Sequence, residues 1–208
     1  MGLAVSVFAL ADLLKHDPEG AAWLRGQLER VNAVLEAEGL GTVLEPETRP
    51  ANLERHAAGS VPYGFLQRLR RAYTRARRGL PVTPVEGKLS PEDEDIVMDE
   101  GTLFDSHVLC HSDAEGFYVP LVFSHPIFSD AVPGGMLGSS QALLRELLFV
   151  APALGVALDA NGAPTLEALN GLSDVPEDDP FLRERVVWFA LFEAAIISVQ
   201  HGTVIVFN

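Results

Sequence analysis

The chain has 208 residues, 48% of them hydrophobic, which is enough for a sizeable core and argues against global disorder. Its 15 lysines and arginines stand against 29 acids, a formal net charge of −14 that opposes general binding to nucleic acid or an anionic membrane and favours a basic partner. The single cysteine, Cys110, excludes an intramolecular disulfide framework and suits a reducing compartment.

The N-terminal stretch MGLAVSVFALADLLKHD is apolar but lacks the basic segment and small-residue cleavage site of a signal peptide. No run reaches the roughly 18 uncharged apolar residues of a membrane span, so the expected location is the cytoplasm. Residues 3–10, rich in Val and Phe, suit a strand or a short helix. A helix is predicted over 18–38: Asp17 caps it, Pro18 opens it, Leu24, Leu28, Val31 and Leu35 recur at helical spacing, and Gly39 closes it.

A proline-broken loop precedes a second predicted helix, about 62–78. Its apolar face holds Phe65, Leu66, Leu69, Tyr73 and Ala76. Its Arg68, Arg71, Arg75 and Arg78 fall on one stripe. Residues 79–101, with three prolines and a dense acidic run, read as a long acidic loop. Six acids between residues 92 and 100 are expected to fold back on the arginine stripe rather than leave it free for an anion or RNA.

Residues 104–123 read as a β-hairpin with its loop at Asp113–Gly116. In that register Val108, Cys110, Val119 and Leu121 share the core face, so Cys110 is expected to be buried and inert, and His107 and His111 lie opposite. Four residues apart on a strand, those histidines would be about 13 Å from each other. They could not share one ion, and no metal or cofactor is expected.

A helix is predicted over 140–150, a short one within APTLEALNGL, and a long one over 180–201 that is apolar almost all round and therefore the expected centre of the core. Glu193 within it calls for a cationic partner such as Arg145 or Arg183. TVIVF at the end is a strand. The expected fold is α+β: several helices, one long and buried at the C-terminus, on a small antiparallel sheet that contains the 104–123 hairpin. One globular domain over 1–208 is expected, because the N-terminal helices alone offer too little to close a core.

Two sites suggest themselves. His111, oriented by Asp113 or Glu115, meets the minimum for a general base, and Ser139 is a candidate nucleophile if a histidine reaches it. Gly134, Gly135 and Gly138 lead into a helix start at Ser139 and Ser140, where free backbone N–H groups suit an anion. Neither the phosphate-binding P-loop pattern nor the G-x-S-x-G turn is present. The leading functional expectation is a non-enzymatic interaction protein with an acidic surface, of inhibitor or immunity type, against a basic protein and not nucleic acid. The alternative is a small hydrolase or transferase, metal-assisted or not, with its site between the 111–116 tip and the 134–140 glycine segment.

Overall fold

The computed structural model describes residues 2–51, 53 and 58–208. Its centre is a six-stranded sheet in the order β2-β1-β6-β3-β5-β4, built from β1 (Gly2–Val7), β2 (Ala58–Pro62), β3 (Gly116–Val119), β4 (Ile127–Phe128), β5 (Met136–Ser139) and β6 (Ile205–Phe207). Only β3 and β5 run parallel; the other neighbours are antiparallel. The helices are α1 (Ala9–His16), α2 (Pro18–Ala37), α3 (Tyr63–Arg77), α4 (Pro91–Gly101), α5 (His107–Cys110), α6 (Ser140–Val150), α7 (Leu166–Leu172) and α8 (Leu182–His201). The fold is α+β, as the alternation of helical and strand periods predicts.

Strand alternation sends neighbouring residues to opposite faces and makes two apolar layers. Leu3, Val5, Val7, Tyr118, Ile205 and Phe207 meet α3, α6 and α8 on one face. Phe117, Val119, Leu137, Val204 and Val206 meet α1 and α2 on the other. On the first face, α8 buries Val187, Trp188, Leu191, Ala194 and Ala195, and the Trp188 indole N–H donates to the Leu147 carbonyl at 2.8 Å. The apolar run in α8 is thus a core helix, although Phe189, Glu193 and Ile196 are only half-buried. Its fully buried acid is Glu184, which the sequence analysis did not single out.

Three of the caps sit where the sequence places them, whereas α8 starts at Leu182, after Phe181, rather than at Pro180 behind an Asp179 cap. The Asp17 side chain accepts from Gly20 N–H, Ser139 Oγ accepts from Ala142 N–H, and Gly202 closes α8 with φ 69°. Glu45 locks the β1–α1 corner from outside the sheet. It accepts from the Thr203 hydroxyl at 2.6 Å and from Val204 N–H at 2.7 Å, while Thr203 Oγ1 accepts from Phe8 N–H.

Two expectations fail. Residues 91–101 are not loop: Ser90 Oγ accepts from Asp93 N–H at 3.1 Å, Pro91 occupies the first turn, and Glu92, Asp93 and Glu94 lie at the positive end of the helix dipole. The 104–123 hairpin does not form either. β3 is a strand, but its edges are taken by β6 and β5. Residues 107–110 turn into α5 because Ser106 Oγ caps Leu109 N–H, and the Glu146 carboxylate accepts from His107 N–H at 2.8 Å and Val108 N–H at 2.7 Å. In a strand the two consecutive N–H groups would have pointed to opposite edges, and here one carboxylate takes both. Among the described residues, no helix is long and apolar enough to cross a membrane.

Candidate functional site

The structure does not bring His111, Asp113, Glu115 and Ser139 together as one set. His111 is buried, its ring stacked on Tyr118 at 4.3 Å between centroids and meeting Phe207 edge-on at 4.5 Å. Its Nδ1 lies 2.9 Å from the Ser112 carbonyl, and burial pushes its pKa down to about 4. Asp113 does not orient it: that carboxylate takes the Arg70 guanidinium and the Gln67 amide. Glu115 is exposed. Ser139 Oγ is spent on the Leu121 carbonyl at 2.7 Å, and it is His107, not His111, that comes to Ser139, accepting from its backbone N–H through Nδ1 at 3.0 Å.

The glycine segment is explained by packing. A Cβ on Gly138 would lie 2.2 Å from the Tyr118 ring, and one on Gly134 would lie 2.3 Å from the Glu115 carbonyl oxygen. Gly134 and Gly135 also take positive φ. The 112–116 turn and the glycine segment do meet, backbone against backbone at Glu115 and Gly134. Ser140 Oγ is bonded to Ser198 Oγ at 2.7 Å inside the core. Cys110 is half-buried rather than buried. Its thiol lies 3.7 Å from the Gly101 carbonyl and burial pushes its pKa up, but it does not share a face with Val119 in a hairpin. Among the described residues, no group of three His, Cys, Asp or Glu is arranged to hold a metal ion.

The electrostatic arrangement is sharper than the sequence suggested. The arginines of α3 point inward and are consumed. Arg68 donates to the Val85 and Gly87 carbonyls. Arg70 donates to Asp113 and to the Val108 and His111 carbonyls. Arg71 and Arg75 share Asp93. Arg77 makes a two-pronged contact with Asp105, at 2.8 and 2.6 Å, and reaches Glu100 at 2.9 Å. Arg78 donates to Glu100 at 2.8 Å.

Asp93 and Glu100, seven residues and two turns apart, form the buried face of α4. The remaining acids of the run turn away. Glu92, Glu94, Asp95 and Asp99 are exposed, and only Asp99 comes near a cation, Arg78, at 4.0 Å. The predicted pairing of the run with the stripe thus holds for three of its six acids, closely for the buried Asp93 and Glu100 and at 4.0 Å for the exposed Asp99. A second acidic group lies beyond it. Glu86, Glu177, Asp178, Asp179 and Glu184 line a cavity of about 260 Å³ with Arg183 at its rim. Across the described residues, eighteen carboxylates but only seven basic side chains are exposed. Seven of the fourteen described lysines and arginines, against ten of the twenty-eight described carboxylates, are thus drawn in from the surface, which sharpens the negative balance outside.

The fold and surface define an α+β protein whose outer face carries a large excess of carboxylates. Residues 1–207 match the family described as "Putative DNA-mimic protein", and the chain belongs to that family. No curated protein and no solved structure matches it. Membership replaces the expected inhibitor or immunity-type role against an unspecified partner, and the alternative of a hydrolase or transferase built on His111, Asp113, Glu115 and Ser139, while the acidic interaction surface of the leading expectation stands. It also corrects the partner expectation, an unspecified basic protein, to the DNA-binding kind of protein that the family's description implies. The available signal was not a catalytic motif but a charge balance that the arginines of one helix mask in the sequence.

Proposed function

We propose that the protein acts as a DNA mimic, presenting its carboxylates to the DNA-contacting face of a DNA-binding protein in place of phosphates. The observation that carries this reading is the two-faced α4. Its inner acids, Asp93 and Glu100, neutralise Arg71, Arg75, Arg77 and Arg78, and its outer acids Glu92, Glu94, Asp95 and Asp99 are exposed, with only Asp99 near a cation, Arg78, at 4.0 Å. From Glu92 to Asp99 the helix rises about 10 Å at 1.5 Å per residue. Over that length it displays four exposed carboxylates. One strand of duplex DNA displays about one phosphate per 3.4 Å of axis, hence about three over the same distance. A lysine- and arginine-lined groove would meet a similar density of charge on either surface.

The test is competition. A panel of purified duplex-binding proteins is loaded with a labelled duplex, and the protein is titrated in while free duplex is followed by gel shift. Displacement from at least one member is expected, weakening as salt screens the contact. It should be lost in the Asp95→Lys/Asp99→Lys variant. Failure to displace duplex from any member, or full displacement by the variant, would overturn the reading.

A further inference from the structure

The surface at the end of α4 is not only acidic. Phe104, just after that helix, is 58% exposed, and Phe128, on the edge strand β4, is 50% exposed. Their rings meet edge-on at 5.4 Å between centroids, so they form one patch. Leu103 beside them and Met98 on α4 are exposed as well. Met98 follows Asp95 by three residues and precedes Asp99 by one, which puts it on the helix face that carries those carboxylates.

Phe104 also holds a backbone conformation that a bulky residue rarely takes, with φ 54°. Among the described residues other than glycine, only Phe8 shares it, and that ring is 1% exposed, so core packing offsets the strain there. Burial within the chain does not account for a phenylalanine at position 104, where glycine would be at ease. Carboxylates surround the pair. Asp99 lies near the end of α4 and Asp130 two residues beyond Phe128, while Glu38 and Phe128 line one hollow of about 470 Å³. All three acids are exposed. An exposed apolar patch with a polar rim is the anatomy of a protein–protein contact. The charge selects the occupant. A second copy would set these acids against their own images, with −14 on each chain, and an anionic membrane would be repelled likewise. A basic protein would be drawn in.

We infer that Phe104 and Phe128 anchor the protein that the acidic face of α4 engages, a partner whose basic DNA-contacting surface also carries an apolar side chain, as in proteins that insert one between the base steps of a duplex. The assignment rests on the DNA-mimic reading and adds a contact that phosphates do not offer. The carboxylates attract and orient the partner, and the ring pair supplies a short-range contact that salt does not screen.

The experiment is duplex competition at low and high salt against purified proteins of two kinds. The first kind inserts an apolar side chain between base steps, and the second contacts DNA through polar groups alone. The variant is Phe104→Gly/Phe128→Thr, in which glycine suits the positive φ and threonine suits a strand. Its thermal midpoint should match or exceed that of wild type. Against the first kind, about tenfold more variant than wild type should be needed to free the duplex, at low and high salt alike. Phe104→Gly alone should show part of that loss, and it carries the test if the double variant unfolds. Equal displacement by wild type and variant, a loss that disappears at high salt, or displacement confined to the second kind would overturn the anchor and leave the DNA-mimic reading standing. Failure of wild type to displace duplex from any protein would overturn that reading and the anchor with it. Sedimentation of wild type alone should give a monomer, and a dimer that the variant dissociates would assign the patch to a second copy instead.

Discussion

Arg71 Nε donates to Asp93 Oδ2 at 2.7 Å, and neither side chain is as much as a tenth exposed. Burial pushes the Asp93 carboxyl up, but the hydrogen bonds from Arg71 and Arg75 outweigh it and hold the pKa below the ordinary 3.8. Asp93→Asn should therefore cost about 3–5 kcal/mol in urea unfolding at pH 7, because it strands a buried guanidinium. The sign with pH follows. A depressed carboxyl contributes stability above its unfolded pKa, and that contribution is lost as pH falls through the folded value. The gap between wild type and variant should then narrow below pH 3.8, and a constant gap would mean that the pair does not carry the effect.

The outer face of the same helix should behave in the opposite way. Asp95 and Asp99 are exposed and lie outside the first turn of α4, and only Asp99 approaches a cation, Arg78, at 4.0 Å. Asp95→Lys/Asp99→Lys should leave stability within about 0.5 kcal/mol of wild type. The same variant should lose duplex displacement. A stability loss comparable to that of Asp93→Asn would show that these acids support the fold rather than face a partner.

The contrast between these two faces explains what was legible in the sequence. Helices with local signals were placed closely: Asp17 and Pro18 mark α2, Ser139 marks α6, and Gly202 ends α8. α4 carried the same signals in Ser90 and Pro91, but the prolines and glycines before it argued for a loop. The hairpin failed for a different reason. Alternation identified β3 but not its neighbours, which are β5 and β6, the latter nearly 90 residues away along the chain. The Glu146 carboxylate that captures His107 and Val108 is likewise remote in sequence. Polar residues gathered near position 111 looked like a site because their partners, Arg70 and Gln67, lie on another helix. The net charge of −14 was in plain view, but which acids remain unneutralised depends on which way α3 faces.

Within α8 the apolar residues are not equivalent. Leu191 is 1% exposed, whereas Ile196 is half-buried and lines a surface depression. Leu191→Ala should cost about 2–5 kcal/mol, the range for emptying a packed core position. Ile196→Ala should cost clearly less in the same denaturant titration. Equal losses would place the outer side of α8 in the core as well.

Gly138 offers a test of packing against anion binding. Its missing side chain lets the Tyr118 ring approach, and that ring, 1% exposed, is held from its other side by His111. Gly138→Ala should destabilise the protein by about 1–3 kcal/mol or more, since neither ring has space to retreat. A phosphate titration monitored by the thermal midpoint should give no more stabilisation in wild type than in the variant. Phosphate-dependent stabilisation confined to wild type would restore the anion site.

His111 allows the pH behaviour of the core to be separated into its parts. Burial pushes the His107 and His111 pKa values from 6.5 down to about 4. Between those values the unfolded chain binds protons that the folded rings refuse. Each histidine then contributes stability that falls by about 1.4 kcal/mol per pH unit as pH drops from 6.5 towards 4. Glu45 and Glu146 act in the other direction. Burial, partly offset by the hydrogen bonds they accept, raises them from 4.5 to about 7. Their contribution is complete below 4.5 and is lost as pH rises through 7. From pH 4.5 to 6.5 the two pairs oppose each other, so their net contribution is nearly flat in wild type. His111→Phe keeps a ring against Tyr118 and Phe207, removes the unpartnered Nε2 and removes one titration. The stability of this variant relative to wild type should improve by about 1.4 kcal/mol for each unit that pH is lowered across that window. Urea unfolding at pH 4.5, 5.5 and 6.5 measures the difference directly, and parallel profiles would mean that His111 is not held neutral in the folded core.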